Sequence, residues 1–269
     1  MKYVFGPVHS RRLGLSLGVD PVQDKTCTLD CVYCQLGATC KKTFERGTYV
    51  PAGDVLDEVR AVIASGKKID YLTFSGTGEP TLNAELGHMI SEIKAISAVP
   101  VAVITNSTFM HLADVRADLM QADLVVPSVD AVTRQVFERI NRPHEGIDLV
   151  RILSGLTTFS REYTGRLWVE VMLVQGINDT HNELEALAAY FRDLTCEKIQ
   201  INTVTRPPAE SSCAPVSSAV LDRARSLFGP RAEILGSSAE ISSSKADDDP
   251  FARIQALVRS HPCTLEQIC

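Results

Sequence analysis

The sequence lacks any apolar run that could cross a membrane, and its first residues lack the apolar core of a secretory signal. A transmembrane helix needs about 18 to 20 successive apolar residues, and no stretch of the 269-residue chain reaches that length. The amino terminus carries Lys2, His9, Arg11 and Arg12 instead. We therefore expect a cytoplasmic protein that has no membrane partner.

An excess of basic residues is also missing. The chain has 27 Lys and Arg against 33 Asp and Glu, a formal net charge of −6, whereas a general nucleic-acid binder shows a basic footprint. This balance disfavours nucleic acid as a partner. Residues 1–50 nevertheless hold seven basic against four acidic side chains. The local excess predicts a positive rim for an acidic substrate or electron donor, although an ordinary solvated surface would give the same count.

Eight cysteines are present, but in a cytoplasmic chain cysteines are more often metal ligands or reactive groups than disulfide partners. Cys27, Cys31 and Cys34 have C-x3-C-x2-C spacing and no fourth cysteine at comparable spacing. Three thiolates on one loop can each bind a different iron of a four-iron cluster, which leaves one iron open. Zinc or unligated thiols are the alternatives, although zinc sites usually add a second ligand pair. Cys213 is the other cysteine for which we consider a role.

Short β-type runs alternate with stretches of helical spacing, and six such units precede residue 230. This alternation predicts a parallel sheet with its ligand site at the carboxyl ends of the strands. An incomplete barrel and a doubly wound sheet fit the periodicity equally well. Asn83 is the expected N-cap of one helix, and Thr180 with Glu183 has capping-box spacing. The predicted strands are 15–19, 69–74, 101–104, 124–126, 167–174 and 199–202, and the predicted helices are 52–65, 83–96, 111–120, 131–140, 148–163, 181–194 and 216–228.

The domain organisation follows from a change in composition near residue 235. Residues 1–235 form the α/β unit, and the Ser- and Asp-rich stretch 236–250 is expected to be a linker or exposed loop. Residues 251–269 are expected to form a short helical extension. The chain stops in the first turn of a second helix there, so we expect a truncated C-terminal domain.

A Gly-rich segment, Gly76-Thr77-Gly78-Glu79, follows the second predicted strand. It is not a nucleotide P-loop, because no Gly-Lys-Ser/Thr follows. Together with the cysteine loop, in which Tyr33 precedes the last cysteine, it resembles the radical S-adenosylmethionine (SAM) superfamily. Residues 5–18 and the Asn-Arg-Pro element 141–143 are similar to a subgroup related to wybutosine-synthesis enzymes, which make a tricyclic base in tRNA. Those relatives carry further cysteines for a second cluster, and this chain has none that we can assign.

The resemblance implies a partial (β/α)6 barrel, the core also described as a partial TIM barrel, with a short C-terminal helical extension. It implies a 4Fe–4S cluster held by Cys27, Cys31 and Cys34, and SAM as the second cofactor. Glu79 and Gly78 would orient the amino group of SAM, and Tyr33 would lie on its adenine side. The remaining cofactor-binding residues implied are Gly76, Thr77, Asn106, Ser128, Asp130 and Gly176.

The implied reaction is reductive cleavage of SAM to a 5′-deoxyadenosyl radical that abstracts a substrate hydrogen, with flavodoxin or ferredoxin as the electron donor. The substrate could be tRNA or nucleotide-like, or a peptide, protein or cofactor precursor. A non-catalytic iron–sulfur electron-transfer protein and a zinc-stabilised module are the remaining alternatives. Arg11, Arg12 and Arg142 are candidates for an anionic substrate group, since arginine binds phosphate or carboxylate in a bidentate manner. Pairing with surface acids would explain them equally.

Overall fold

Eight strands form one sheet in the part of the chain that this computed structural model describes, residues 1–235. Two further strands, β3 and β4, form a small ribbon beside it. In chain order the strands are β1 Val4–Ser10, β2 Gly14–Val19, β3 Thr26–Cys27, β4 Lys41–Lys42, β5 Tyr71–Phe74, β6 Val101–Thr105, β7 Leu124–Pro127, β8 Arg166–Leu173, β9 Lys198–Thr203 and β10 Ala232–Ile234.

Helices connect the successive strands of the sheet. In chain order they are α1 Ala52–Ala64, α2 Leu86–Ile96, α3 Ala113–Leu119, α4 Arg134–Asn141, α5 Leu149–Glu162, α6 His181–Arg192 and α7 Ser218–Phe228, with a 3-10 turn at Pro80–Leu82. Their apolar sides pack on the sheet, where every residue of β7 is buried. Burial on both faces is typical of the parallel sheets of α/β proteins.

The strand order is β1-β2-β5-β6-β7-β8-β9-β10, and all neighbouring pairs except β1–β2 are parallel. The order follows the chain without a reversal, whereas a doubly wound sheet reverses at a switch point. Because crossovers between parallel strands are right-handed as a rule, an order without reversal is expected to place the connecting helices on one side of the sheet, as in a barrel. The predicted α/β fold with a parallel sheet is therefore confirmed. Within residues 1–235, the edge strands β1 and β10 do not pair, so this sheet is open.

The sheet curls strongly. Arg12, in the turn between β1 and β2, forms an ion pair of 2.9 Å with Glu170 of β8, although three strands separate β2 from β8. Both side chains are largely buried, at 14% and 10% exposure. The β1–β2 hairpin thus brings charged groups onto the inner side of the curved sheet.

The six predicted parallel strands are all present, with ends within two residues of the predicted positions. The prediction missed β1, and the expected N-cap at Asn83 is wrong. The helix begins three residues later, because Pro80–Leu82 forms a 3-10 turn and Asn83 Oδ1 accepts the Glu85 N–H at 2.8 Å. Thr180 does cap α6, accepting the Glu183 N–H.

The described residues contain no helix that has both the length and the apolar character required to cross a membrane. The predicted linker 236–250 and extension 251–269 lie outside the described residues.

Candidate functional site

The cysteine loop leaves β3 at Cys27 and is fixed by the end of α4. The backbone N–H groups of Asp30 and Val32 donate to the carbonyls of Asn141 and Ile140, each at 3.0 Å. The last carbonyls of a helix have no partner within the helix. Here the cysteine loop supplies these partners, so α4 determines the position of Cys31, which lies between the two contacts.

Each cysteine sulfur in the loop has a side-chain nitrogen beside it. Lys25 Nζ lies 2.8 Å from Cys34 Sγ, Asn141 Nδ2 lies 3.3 Å from Cys31 Sγ, and Asn106 Nδ2 lies 3.5 Å from Cys27 Sγ. These nitrogens come from three separate segments of the chain. N–H donors stabilise the thiolate form of a cysteine, which is the form that binds metal.

Burial opposes that thiolate form. It raises the pKa of Cys27 to about 11, with a smaller contribution from the nearby Glu79 carboxylate. Burial also raises the pKa of Cys31 well above its usual value. A bound metal overcomes such a shift, since a coordinated thiol loses its proton outright. Buried thiols that face N–H donors therefore fit metal–thiolate ligation.

A four-iron cluster and a single metal ion require different sets of ligands. Within residues 1–235, no three His, Cys, Asp or Glu side chains are close enough together to hold one metal ion. A four-iron cluster makes a different demand, because each thiolate binds its own iron. The donor set of three cysteines on one loop thus fits the cluster better than a closed zinc site.

The Gly-rich segment follows β5 and packs directly against the cysteine loop. Gly76 has a φ of +134°, and a Cβ there would collide with the Asp20 carboxyl. A Cβ on Gly78 would collide with the Thr26 carbonyl, next to Cys27. Thr77 is held by Asp20 Oδ2, which accepts its N–H at 3.1 Å and its hydroxyl at 2.8 Å. Only glycine allows the two segments to approach this closely.

Glu79 is the buried carboxylate of this segment, at 2% exposure. Its Oε1 accepts from Thr81 N, Thr81 Oγ1 and Thr105 Oγ1 at 3.0, 2.6 and 2.6 Å. Its Oε2 accepts from Asn106 N at 2.7 Å. Burial raises the pKa of the Glu79 carboxyl, while these donors favour its charged form. Of its two oxygens, Oε2 has the greater spare capacity to accept a hydrogen from a ligand.

The residues predicted at the ends of β6 and β7 differ in whether they line a cavity. Asn106 and Ser128 line a large cavity. Asp130 lies behind it, where it accepts from the Tyr33 hydroxyl, from Asn141 Nδ2 at 2.7 Å and from Met172 N at 2.9 Å. Asp130 therefore fixes two residues that flank Cys31.

A cavity of about 360 Å³ opens at the carboxyl ends of the strands. Its volume lies in the range of roughly 300–1,000 Å³ that is usual for small-molecule sites. Most of the residues predicted from the sequence share its wall. They are Arg11, Arg12, Cys27, Cys31, Tyr33, Cys34, Gly76, Thr77, Gly78, Glu79, Asn106 and Ser128.

Besides Asp130, two predicted residues lie outside this wall. Gly176, with a φ of +72°, is in an exposed turn after β8, where its carbonyl accepts from Arg139 at 3.2 Å. Arg142 forms an ion pair of 2.7 Å with Glu210, and both side chains are 43% exposed. Neither lines the large cavity.

Cys213 is buried in a small apolar cluster with Leu29, Val32 and Val174. Its sulfur lies 3.4 Å from the Val32 carbonyl, behind the cysteine loop and outside the wall of the large cavity. This position gives Cys213 a packing role.

Sequence reasoning missed Lys25, Asn141 and Glu170 as site residues. Glu170 had a usable signal, because it is the charged residue inside the apolar run Leu167–Leu173, and an unpaired charge is rarely buried. Asn141 stood in the Asn-Arg-Pro element but was given no role, and Lys25 had no signal, because the proximity of both residues to the cysteines depends on how the loop meets α4.

The comparisons with known proteins agree with this geometry. The Radical SAM superfamily profile matches residues 25–190. A UPF0026 protein of Methanocaldococcus jannaschii is 38% identical over 238 residues, which are 88% of this chain and 73% of that protein. A GTPase Obg of Brachyspira hyodysenteriae is 37% identical over 227 residues, 84% of this chain. This chain spans only 33% of that relative's length.

Solved structures share the fold. A radical SAM methyltransferase from Sphaerobacter thermophilus superposes with a TM-score of 0.64 at 18% identity, over 86% of this chain and 68% of that one. TYW1 with a lysine–pyruvate adduct bound has a TM-score of 0.59 at 14% identity, over 83% of this chain and 75% of that one. At such identities the likeness concerns the architecture alone.

Proposed function

Because the chain belongs to the radical SAM superfamily, whose enzymes use a 4Fe–4S cluster and SAM, we propose that it cleaves SAM reductively beside a cluster held by Cys27, Cys31 and Cys34. Membership confirms the family resemblance, the enzyme class and the two cofactors expected from the sequence. One observation carries the assignment of the ligands: the three cysteines and the Gly-rich segment face one cavity at the carboxyl ends of parallel strands.

When bound, a cluster reduced by an external donor would supply one electron for the reductive cleavage of SAM, and the two cofactors together would supply the radical chemistry that removes a hydrogen atom from the substrate. The chain's own residues hold and orient these groups. Cys27, Cys31 and Cys34 are the proposed thiolate ligands. Lys25 donates a hydrogen bond to the Cys34 sulfur, and Asn141 donates one to the Cys31 sulfur. These bonds stabilise the negative charge of the thiolates.

We assign the amino group of SAM to Glu79 and Gly78. Glu79 Oε2 is a buried acceptor held in place by Asn106 N, and an ammonium group is a strong donor to such a carboxylate. Gly78 lacks the side chain that would push the Gly-rich segment away from the Thr26 carbonyl, next to Cys27. Gly76 and Thr77 fix this segment through Asp20.

Asn106, Ser128 and Tyr33 are the proposed contacts to the rest of SAM, because each lines the cavity. We revise the role of Asp130 from a direct contact to a positioning residue, since its oxygens are engaged by Tyr33 and Asn141. Gly176, which lies outside the cavity wall, is left out of the proposed site.

The experiment is reconstitution without oxygen, reduction, addition of SAM and detection of 5′-deoxyadenosine. We expect the product from the wild-type chain and none from Cys31→Ala, which removes a ligand. Cys40→Ala is the matched control, because Cys40 is exposed and lies outside the cavity wall. Product formation by Cys31→Ala, or cluster absorbance equal to that of the wild type, would contradict the assignment.

We also propose a class of substrate and a class of reductant. We favour a nucleotide-like substrate with an anionic group, because arginines line the cavity that the cysteines share. A peptide, protein or cofactor precursor could bind at the same place with an anionic group smaller than that of a nucleotide. An acidic one-electron donor of the flavodoxin or ferredoxin kind suits the exposed Lys41 of the β3–β4 ribbon, which pairs with Thr26, one residue before Cys27.

A further inference from the structure

Arg11 reaches across the inner side of the sheet from the β1–β2 turn. Its Nη1 donates to Asn202 Oδ1 at 3.2 Å and to Thr205 Oγ1 at 3.3 Å. Both acceptors are neutral oxygens. Among residues 1–235, no carboxylate lies within ion-pair distance of Arg11.

The nearby carboxylate, Glu170, is already occupied. Its Oε2 lies 2.9 Å from Arg12, and its Oε1 accepts from Asn202 Nδ2 at 3.1 Å. Although burial opposes ionisation, the Arg12 charge keeps the pKa of Glu170 below its usual value. Glu170 is therefore a charged partner of Arg12.

Arg11 lies among like charges. Burial lowers the pKa of Arg11, and the guanidinium groups of Arg206 and Arg12 lower it further. Arg206 comes from the loop after β9 and donates to Gln35 Oε1 at 2.7 Å. A half-buried cation beside other cations is costly unless an anion approaches it.

Arg11, Arg12 and Arg206 line the same cavity as the three cysteines. We propose that Arg11, with Arg206 beside it, binds an oxyanion of the substrate, either a phosphate or a carboxylate. This inference rests on the proposed function, since the oxyanion would orient the substrate toward the cofactor. Arg12, neutralised by Glu170, fixes the hairpin that carries Arg11.

The cofactor offers a competing occupant, because SAM itself has a carboxylate. The test therefore uses the reconstituted protein without reductant, once with saturating SAM and once without SAM. Inorganic phosphate and malonate are titrated separately by calorimetry at constant ionic strength. The variants are Arg11→Gln, Arg11→Lys and Arg206→Gln, and Arg60→Gln on the exposed side of α1 is the matched control.

We expect saturable binding of at least one anion by the wild type and by Arg60→Gln. Binding should weaken about tenfold or more in Arg11→Gln, because a charge-assisted bond is lost, and less in Arg11→Lys. If Arg11→Gln does not fold, the same loss in Arg206→Gln supports the site. Binding of phosphate alone indicates a phosphorylated substrate, and binding of malonate alone indicates a carboxylate.

Three results would overturn the inference. They are no saturable binding by the wild type with or without SAM, equal binding by the Arg11 and Arg206 variants, and binding that is seen without SAM but lost when SAM is added, which would assign Arg11 to the cofactor's own carboxylate. The 5′-deoxyadenosine assay is separate. A wild type that cleaves SAM but binds neither anion contradicts this inference alone, whereas anion binding without SAM cleavage contradicts the proposed function.

Discussion

Glu79 joins the Gly-rich segment to the next strand end through hydrogen bonds that all point toward its oxygens. Glu79→Gln would place an amide N–H₂ opposite one of these donors. We expect a loss of about 1–3 kcal/mol in the free energy of unfolding, because a buried donor loses its partner. SAM binding should also weaken. Urea denaturation and calorimetric titration with SAM measure the two effects.

The matched control for that substitution is Glu185→Gln. Glu185 is exposed on α6 and contacts only His181 in the ion pairs of the described chain, and surface pairs of this kind contribute little. A Glu79→Gln protein as stable as this control, with unchanged affinity for SAM, would refute the role given to Glu79.

Glu170 carries a second prediction at the residue scale. Glu170→Leu would remove the carboxylate and leave the largely buried Arg12 without its partner. We expect a loss of about 3–5 kcal/mol in stability, since breaking a buried ion pair leaves an uncompensated charge. The double variant Arg12→Met with Glu170→Leu should recover much of it. Unfolding in urea distinguishes these cases, and a single variant as stable as the double variant would argue against the ion pair.

At the scale of elements, the parallel strands could be predicted because buried β-branched runs between helical stretches have few other interpretations. Strand β1 escaped prediction because its residues are only partly buried, so it lacks an apolar pattern. The expected cap at Asn83 failed because Pro80 favours a short 3-10 turn first. Local sequence thus determines the elements, while turns depend on their neighbours.

The same distinction between local sequence and distant contacts applies to the site. The cysteines and Gly76–Glu79 could be found from the sequence, because their chemistry depends on spacing along the chain. Asn141 and Glu170 could not be placed in the site, because their contacts join residues more than 100 positions apart. Gly176 illustrates the opposite error, in which a strand-end glycine lies in an exposed turn.

The β3–β4 ribbon yields a prediction about electron transfer. Lys41 is exposed and pairs in register with Thr26, one residue before Cys27. We expect Lys41→Glu to slow reduction by an acidic flavodoxin about threefold to tenfold at low salt, because rim charges steer association. Reduction by dithionite, a much smaller anion that needs no docking surface, should slow less. Stopped-flow absorbance gives both rates.

Lys67→Glu is the control for Lys41→Glu, because Lys67 is equally exposed but lies before β5, at the opposite ends of the strands. Equal slowing by the two variants would show a general charge effect and would exclude the ribbon as the docking surface.

At the scale of the whole molecule, the cysteine loop ties together elements that are distant in the sheet. Val32 contacts α4, and Thr26 packs on the segment after β5. A cluster held by this loop would therefore stabilise the native state as a ligand does. Binding at about 100 times the dissociation constant contributes about 2.7 kcal/mol, and this corresponds to a Tm rise of about 5–10 °C for a domain of this size.

We therefore expect anaerobic removal of the cluster by chelation to lower the Tm by that amount, measured by scanning calorimetry. The temperature difference should vanish in Cys31→Ala, which cannot complete the ligand set, and should persist in Cys40→Ala, whose thiol is exposed. A wild-type Tm that is unchanged after verified iron loss would mean that the loop is rigid without metal. In that case α4 and the Gly-rich segment alone hold the three sulfurs in place.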